Sequence, residues 1–120
     1  GRIVVVNNPK DADRAVDFLS KQQLLGMDTE TKPTFKKGQT HKVALLQRAT
    51  GEAAFLFQLK FTNITDSMKD LLENKKIAKV GLSLNDDIRS LNGRRQFMPA
   101  NFIDIQTCVK KLGIQDMSLQ

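Results

Sequence analysis

The period of apolar and polar positions changes several times along the 120-residue chain, and each change marks an element. Arg2-Ile3-Val4-Val5-Val6 is a short β-branched run closed by the turn-forming pair Asn7-Asn8, which predicts a strand. Asn8-Pro9 then has the form of an N-cap followed by proline at the first helical position. Behind it Ala12, Ala15, Val16 and Leu19 recur at the spacing of one helix face. Leu24-Leu25-Gly26-Met27-Asp28 reads as a buried strand. From Thr31 to Lys42 the pattern stops. That stretch holds Pro33, Gly38 and the lysines Lys32, Lys36, Lys37 and Lys42 without an acid, which predicts an exposed basic loop. Two strands follow, Val43 to Ala49 and Ala53 to Leu59, joined as a hairpin at Thr50-Gly51-Glu52.

Ile64, Met68, Leu71 and Leu72 mark a second amphipathic helix ending near Asn74, and Ile77 to Gly81 reads as another buried strand. Leu84, Ile88 and Leu91 mark a third helix, Phe102-Ile103 a short last strand, and Ile105, Val109 and Leu112 a final helix. Strands alternating with helices point to an α/β domain with a mixed sheet. There is no internal repeat and no linker. No apolar run approaches the ~20 residues of a membrane span, and the start carries no signal-peptide pattern.

Charge and cysteine usage narrow the chemistry. Lys and Arg number 19 against 13 Asp and Glu, a net charge of +6. That excess suits a polyanionic partner, nucleic acid first, with a generic basic surface as the alternative. One cysteine, Cys108, and one histidine, His41, exclude a thiolate or imidazole zinc site, so any metal here is held by carboxylates. The lone cysteine also fits a reducing, cytoplasmic setting.

Two sets of acids stand out. Asp28 and Glu30 lie two residues apart at the end of a hydrophobic strand, so the pleat of an extended chain turns both to one face. Paired acids there repel each other and call for a cation or donors. The alternative is that the strand ends earlier and both are solvated loop residues. The other set is Asp86-Asp87, in the stretch Val80 to Ile88. At about 100° per residue, Asp87 lies about 40° from Leu91, at the rim of the apolar face, whereas Asp86 points to the opposite side. Asp87 is therefore the inward-looking acid. Three converging carboxylates form a hard-oxygen set suited to Mg²⁺ or Mn²⁺ and, with a basic surface, to phosphodiester hydrolysis.

At this point the residues resemble a known family. Gly26-Met27-Asp28-Thr29-Glu30 is similar to the first motif of the DEDD 3′–5′ exonucleases, which have an RNase H-like fold. The likeness continues through Lys42-Val43-Ala44-Leu45-Leu46-Gln47, Phe55-Leu56-Phe57, Leu71 to Lys75, and Lys79-Val80-Gly81 with Asp87 six residues on. Order and spacing are most like Werner-type exonuclease domains and their bacterial relatives, and less like RNase D or the proofreading domain of DNA polymerase I. The resemblance implies an RNase H-like mixed sheet flanked by helices. It implies a 3′–5′ exonuclease with two Mg²⁺ or Mn²⁺ ions, acting on nucleic acid with single-stranded or 3′-recessed DNA favoured and RNA open. Asp28 would bridge both ions, Glu30 would bind the one activating water, and Asp87 would serve the second. Met27 and Thr29 would lie beside the scissile nucleotide, and Leu84 would form part of the wall.

Two departures qualify that reading. The family's third motif, with its fourth carboxylate and a water-orienting tyrosine or histidine, is expected beyond residue 120, so residues 1–120 read as an exonuclease domain lacking its carboxyl-terminal part. The chain has no tyrosine, and His41 falls in the basic loop. Asp104 reads as an N-cap and Cys108 as a small buried hydrophobe. Asp66, Asp70 and Glu73 read as solvated acids. Lys32, Lys36 and Lys37, directly after the catalytic strand, are candidates for tracking a phosphate backbone, with Arg94 and Arg95 as weaker ones. The competing readings are a catalytically silent binding module and an RNase H-like nuclease cutting internally.

Overall fold

The structure, a computed structural model, describes residues 2–32, 42–48 and 53–107, and of 30–32 and 42–48 the backbone alone. The order is β1 (Arg2–Val6), α1 (Pro9–Leu19), β2 (Leu24–Lys32), β3 (Lys42–Arg48), β4 (Ala53–Gln58), α2 (Leu59–Thr62), α3 (Asp66–Glu73), β5 (Ala78–Gly81), α4 (Leu84–Arg94) and β6 (Phe102–Asp104). The strands form one sheet in the order β1-β4-β3-β2-β5-β6. Every neighbouring pair is parallel except the two made by β3, which runs antiparallel to β2 and β4.

Local sequence explains the helix starts. Asn8 caps α1, its side chain accepting from Asp11 N at 2.8 Å, and Pro9 opens the helix where its missing N–H costs nothing. Thr65 caps α3 through Met68 N at 3.2 Å. The apolar face of α1 (Ala12, Ala15, Val16, Leu19) and that of α3 (Met68, Leu71, Leu72) are buried together against Val6, Leu25, Met27 and Phe57 of the sheet. Leu91 of α4 and Phe97 close the same core. Each buried Val, Leu, Met or Phe among them contributes roughly 1.5–3 kcal/mol of burial.

Several boundaries differ from expectation, for physical reasons. β2 runs on to Lys32 because β3 pairs with it along its full length, from Gly26 opposite Arg48 to Lys32 opposite Lys42. Thr31, Lys32 and Lys42 are thus strand residues, while 33–41, with Lys36, Lys37 and His41, lie outside the described residues. The expected β3–β4 antiparallel pairing is present, but the strands are Lys42–Arg48 and Ala53–Gln58. Leu59 instead opens the short α2 and points into the core. Ile64 precedes the cap of α3 instead of belonging to the helix. Glu73 is not a solvated acid, for it accepts from Met98 N at 2.8 Å and Lys69 Nζ at 3.3 Å. The Met98 amide leads in holding its carboxyl below the ordinary range, although partial desolvation opposes it. Cys108, Val109 and Leu112 lie outside the described residues.

One charged side chain is built into the core. Lys79 of β5, opposite Leu25, is 0% exposed. Its Nζ donates to Leu71 O at 3.2 Å and Asn74 O at 2.8 Å, and stands 5.2 Å from the centre of the Phe102 ring. The lysine thereby adds a second donor to each of two carbonyls at the end of α3, which also accept from the backbone amides of Asn74 and Ile77. Burial pushes its pKa down from 10.5 to about 8. Between those values the unfolded chain holds a proton that the folded chain has shed, so this group makes stability rise with pH. Denaturant unfolding of the wild type and Lys79→Met from pH 8 to 10.5 therefore shows the difference moving in the wild type's favour, by at most about 3 kcal/mol. A difference that stays flat with pH contradicts a buried, charged Lys79.

Candidate functional site

The site forms where β2 outruns its parallel neighbour. β5 pairs with β2 only from Leu24 to Gly26, yet β2 continues for six residues beyond, to Lys32. Past Gly26 no strand among the described residues pairs with its β5-side edge, at the carboxyl ends of parallel strands, where α/β sheets commonly place their ligands. Asp28 and Glu30 lie on this stretch, opposite Leu46 and Ala44 of β3. The strand therefore does not end early, and the loop alternative for these two acids falls. Asp28 is exposed, and the side chain of Glu30 lies outside the described residues.

The chain then turns tightly to bring α4 against that edge. A Cβ on Gly81 would stand 2.5 Å from Met27 O and 2.6 Å from Leu84 Cδ2, so only glycine permits this approach. Ser83 adopts a left-handed conformation, φ 53°, at a cost of roughly 1–2 kcal/mol. Asp104, at the end of β6, offsets it. Its carboxylate accepts from Ser83 N at 3.1 Å and Leu84 N at 3.0 Å, and from Gln106 N at 3.0 Å and Thr107 N at 3.4 Å. Ser83 Oγ also donates to Gln106 Oε1. Partial desolvation works to raise the Asp104 pKa, but the four backbone donors outweigh it and hold the carboxyl below its ordinary value. The capping expectation for Asp104 holds. Its second task, pinning the start of α4, depends on a contact 20 residues away that no local pattern reveals.

With α4 so placed, its phase sorts the two aspartates as their helical angles require. Asp86 is 89% exposed and pairs loosely with Arg89 at 3.8 Å. Asp87 is half-buried, and its Oδ1 accepts a hydrogen bond from Thr29 Oγ1, joining α4 to the strand of Asp28 and Glu30. Burial raises the Asp87 pKa, Thr29 opposes that, and the charges of Asp28, Asp86 and Asp104 raise it further. Among the described residues, no three His, Cys, Asp or Glu side chains stand in reach of one ion. Asp28 and Asp87 nevertheless fit a hard divalent cation chemically: both offer only oxygen, and a cation relieves the repulsion that disfavours charge on Asp87.

The remaining expected residues divide. Met27 is 5% and Leu84 1% exposed, so both side chains pack inward beside the acids. Lys32 holds the last position of β2. Arg94 and Arg95 are tied inward: Arg94 donates to Leu59 O at 3.5 Å, and Arg95 to Ile64 O at 3.0 Å and Asp66 at 2.6 Å.

The sheet order and the placement of its acids define an RNase H-like α/β domain, and solved structures share that fold. The exonuclease domain EXD2 matches with a TM-score of 0.76 at 16% identity, over 100% of this chain and 64% of that one. It was also solved after soaking in Mg and GMP and in Mn and GMP. Trypanosoma brucei RNase D in complex with RNA U12 matches with a TM-score of 0.73 at 20% identity, over 87% of this chain and 37% of that one. The sequence profile described as 3′–5′ exonuclease matches residues 3–120, and the chain belongs to that family. The mouse bifunctional 3′–5′ exonuclease/ATP-dependent helicase WRN is 34% identical over 71 residues, covering 58% of this chain and 5% of the mouse protein. This chain thus spans less than two-thirds of each of these relatives.

Because the folded state raises the Asp87 pKa, it favours the protonated acid, and this group's stability is lost as pH rises from 3.8 through the raised value. In chelator at pH 7, Asp87→Asn therefore melts above the wild type, and the gap narrows as pH falls and is smallest below 3.8, where both states hold the proton. A variant that melts lower at pH 7 contradicts the strained placement of Asp87.

Proposed function

We propose that the protein is a divalent-metal-dependent 3′–5′ exonuclease that removes terminal nucleotides from nucleic acid, with single-stranded or 3′-recessed DNA favoured. The observation that carries the reading is the Thr29–Asp87 hydrogen bond, which fixes an acid of α4 beside the strand holding Asp28 and Glu30. Like charges held together at a strand edge are costly without a cation to share. The Mg and Mn soaks of EXD2 support such ions here, two by family resemblance.

In this reading, and by the family resemblance, Asp28 would serve both ions, Glu30 the one on the water side and Asp87 the second. When bound, the ions stabilise charge developing on the phosphodiester oxygens and lower the pKa of the attacking water. The chain's own part is to hold the carboxylates in register: β3 pairing keeps β2 extended through Glu30, and Asp104 and Gly81 fix the start of α4. Thr29 and the positions of Met27 and Leu84 shape the ground beneath the terminal nucleotide. Lys32, Lys36 and Lys37 follow directly in sequence and supply sequence-independent, salt-sensitive attraction for the phosphate backbone. DNA is favoured through the family resemblance carried by the sequence motifs, and the RNA-bound RNase D neighbour makes RNA the comparison.

The test uses the full-length protein with 5′-labelled single-stranded DNA, 3′-recessed DNA and matched RNA in Mn²⁺. A ladder shortening by single nucleotides is expected, abolished by chelator and slowed about 10²-fold or more by Asp28→Asn, the loss of several kcal/mol of charge stabilisation. Products of mixed internal length would favour an endonuclease. Binding without shortening would leave a silent nucleic-acid-binding module.

A further inference from the structure

The start of α4 is held from three sides, and this restricts where Asp87 can reach. Asp104 takes the Ser83 and Leu84 amides, the Leu84 side chain is 1% exposed, and Gly81 presses on Met27 O. The backbone of Asp87 is thereby placed, but its side chain is not: an aspartate retains staggered choices at χ1 and a broad torsion at χ2. Only one donor among the described residues meets that carboxylate, the hydroxyl of Thr29.

Thr29 is suited to this task. It is β-branched and sits in a strand paired on the β3 side, opposite Leu45, so its χ1 is restricted and its hydroxyl is a stiff donor. A threonine hydroxyl has a single proton, and here Asp87 Oδ1 takes it. That proton is not offered to a nucleotide, although the sequence suggested that Thr29 borders one. Oδ2 of Asp87 meets no donor among the described residues and is the oxygen left to face a cation.

From this geometry we infer that Thr29 is a positioning residue for metal binding: its hydroxyl locks the Asp87 carboxylate so that one oxygen is tied to β2 and the other is presented to the ion. The inference rests on the proposed metal-dependent reading and adds to it a residue that touches neither ion nor reacting atoms. It also assigns the middle position of the Asp28-Thr29-Glu30 run a task distinct from those of the two acids. Groups that orient a metal ligand from behind typically change affinity or activity by about 10–100-fold when removed.

The experiment is a Mn²⁺ titration of the full-length protein without nucleic acid, followed by electron paramagnetic resonance, on the wild type, Thr29→Val, Thr29→Ser, Asp87→Asn and the Thr29→Val/Asp87→Asn double variant. Melting curves are recorded alongside. Thr29→Val, nearly isosteric, is expected to weaken the Asp87-dependent Mn²⁺ affinity about 10-fold or more, and Thr29→Ser to restore it to within about 2-fold. Added to Asp87→Asn, Thr29→Val should cause no further loss. Should Thr29→Val fail to fold, Thr29→Ala removes the same hydroxyl without adding a methyl group and carries the same expectation.

Unchanged Mn²⁺ affinity in the folded hydroxyl-less variant, with Asp87→Asn impaired, overturns the positioning role and leaves the metal reading standing. An equal loss from Thr29→Val in the presence and absence of the Asp87 carboxylate overturns it as well, since the effect would then bypass Asp87. If Asp87→Asn itself binds Mn²⁺ like the wild type, the metal reading fails at Asp87 and the inference falls with it.

Discussion

The contact on which the site depends is the approach of Gly81 to the carbonyl of Met27. It brings the end of β5 closer to β2 than any residue with a Cβ allows, 2.5 Å for the missing atom, and it sets the distance at which α4 begins. Everything that follows in the chain inherits that placement. Ser83 turns the backbone through a left-handed conformation, Leu84 buries beneath it, and Asp87 arrives one turn later at the β5-side edge of β2. A wider spacing would carry Asp87 away from Thr29 and leave the acids of β2 without their partner from α4.

Two polar groups make the arrangement affordable. Asp104 gathers four backbone amides and so joins β6 to the start of α4. Lys79 does the corresponding work at the end of α3, donating to the carbonyls of Leu71 and Asn74 while lying in the core. Both sit on the short strands β5 and β6, which therefore contribute more through end contacts than through their few ladder bonds. The field at Asp87 runs against this economy: burial and three neighbouring acids disfavour its charge. Natural proteins retain such local conflict where function requires it, and a bound cation is the simplest thing that removes it here.

Much of the fold was legible because it rests on short-range rules. Asn8-Pro9 announced α1, the β-branched run announced β1, and the helical phase of Leu84, Ile88 and Leu91 separated Asp87 from Asp86 before any contact was known. The extent of β2 was not legible. Thr31 and Lys32 carry no strand signal and are extended because β3 pairs with them, a tertiary decision. The Thr29–Asp87 bond spans 58 residues, and nothing in a Met-Asp-Thr-Glu run says which helix it will meet. The contacts of Lys79, in a strand expected to be buried, and of Arg94 and Arg95, weaker candidates for a phosphate backbone, were not legible either. Their burial or inward ties follow from where carbonyls of α2, α3 and the connecting segments come to lie, which only the assembled fold determines. Met27 and Leu84 neighbour functional acids in sequence, yet their side chains are turned inward by the pleat and the helix phase.

The central claim is that Asp28, Glu30 and Asp87 share one cation site at the edge of β2. It is tested most directly by diffraction from crystals of the protein soaked in Mn²⁺, with anomalous differences locating the ion. The account predicts a peak at coordination distance, about 2 Å, from carboxylate oxygens of Asp28 and Asp87, with Thr29 still bonded to Asp87. A peak confined to other acids, such as Asp86 or Asp104, with none between β2 and α4, would contradict it.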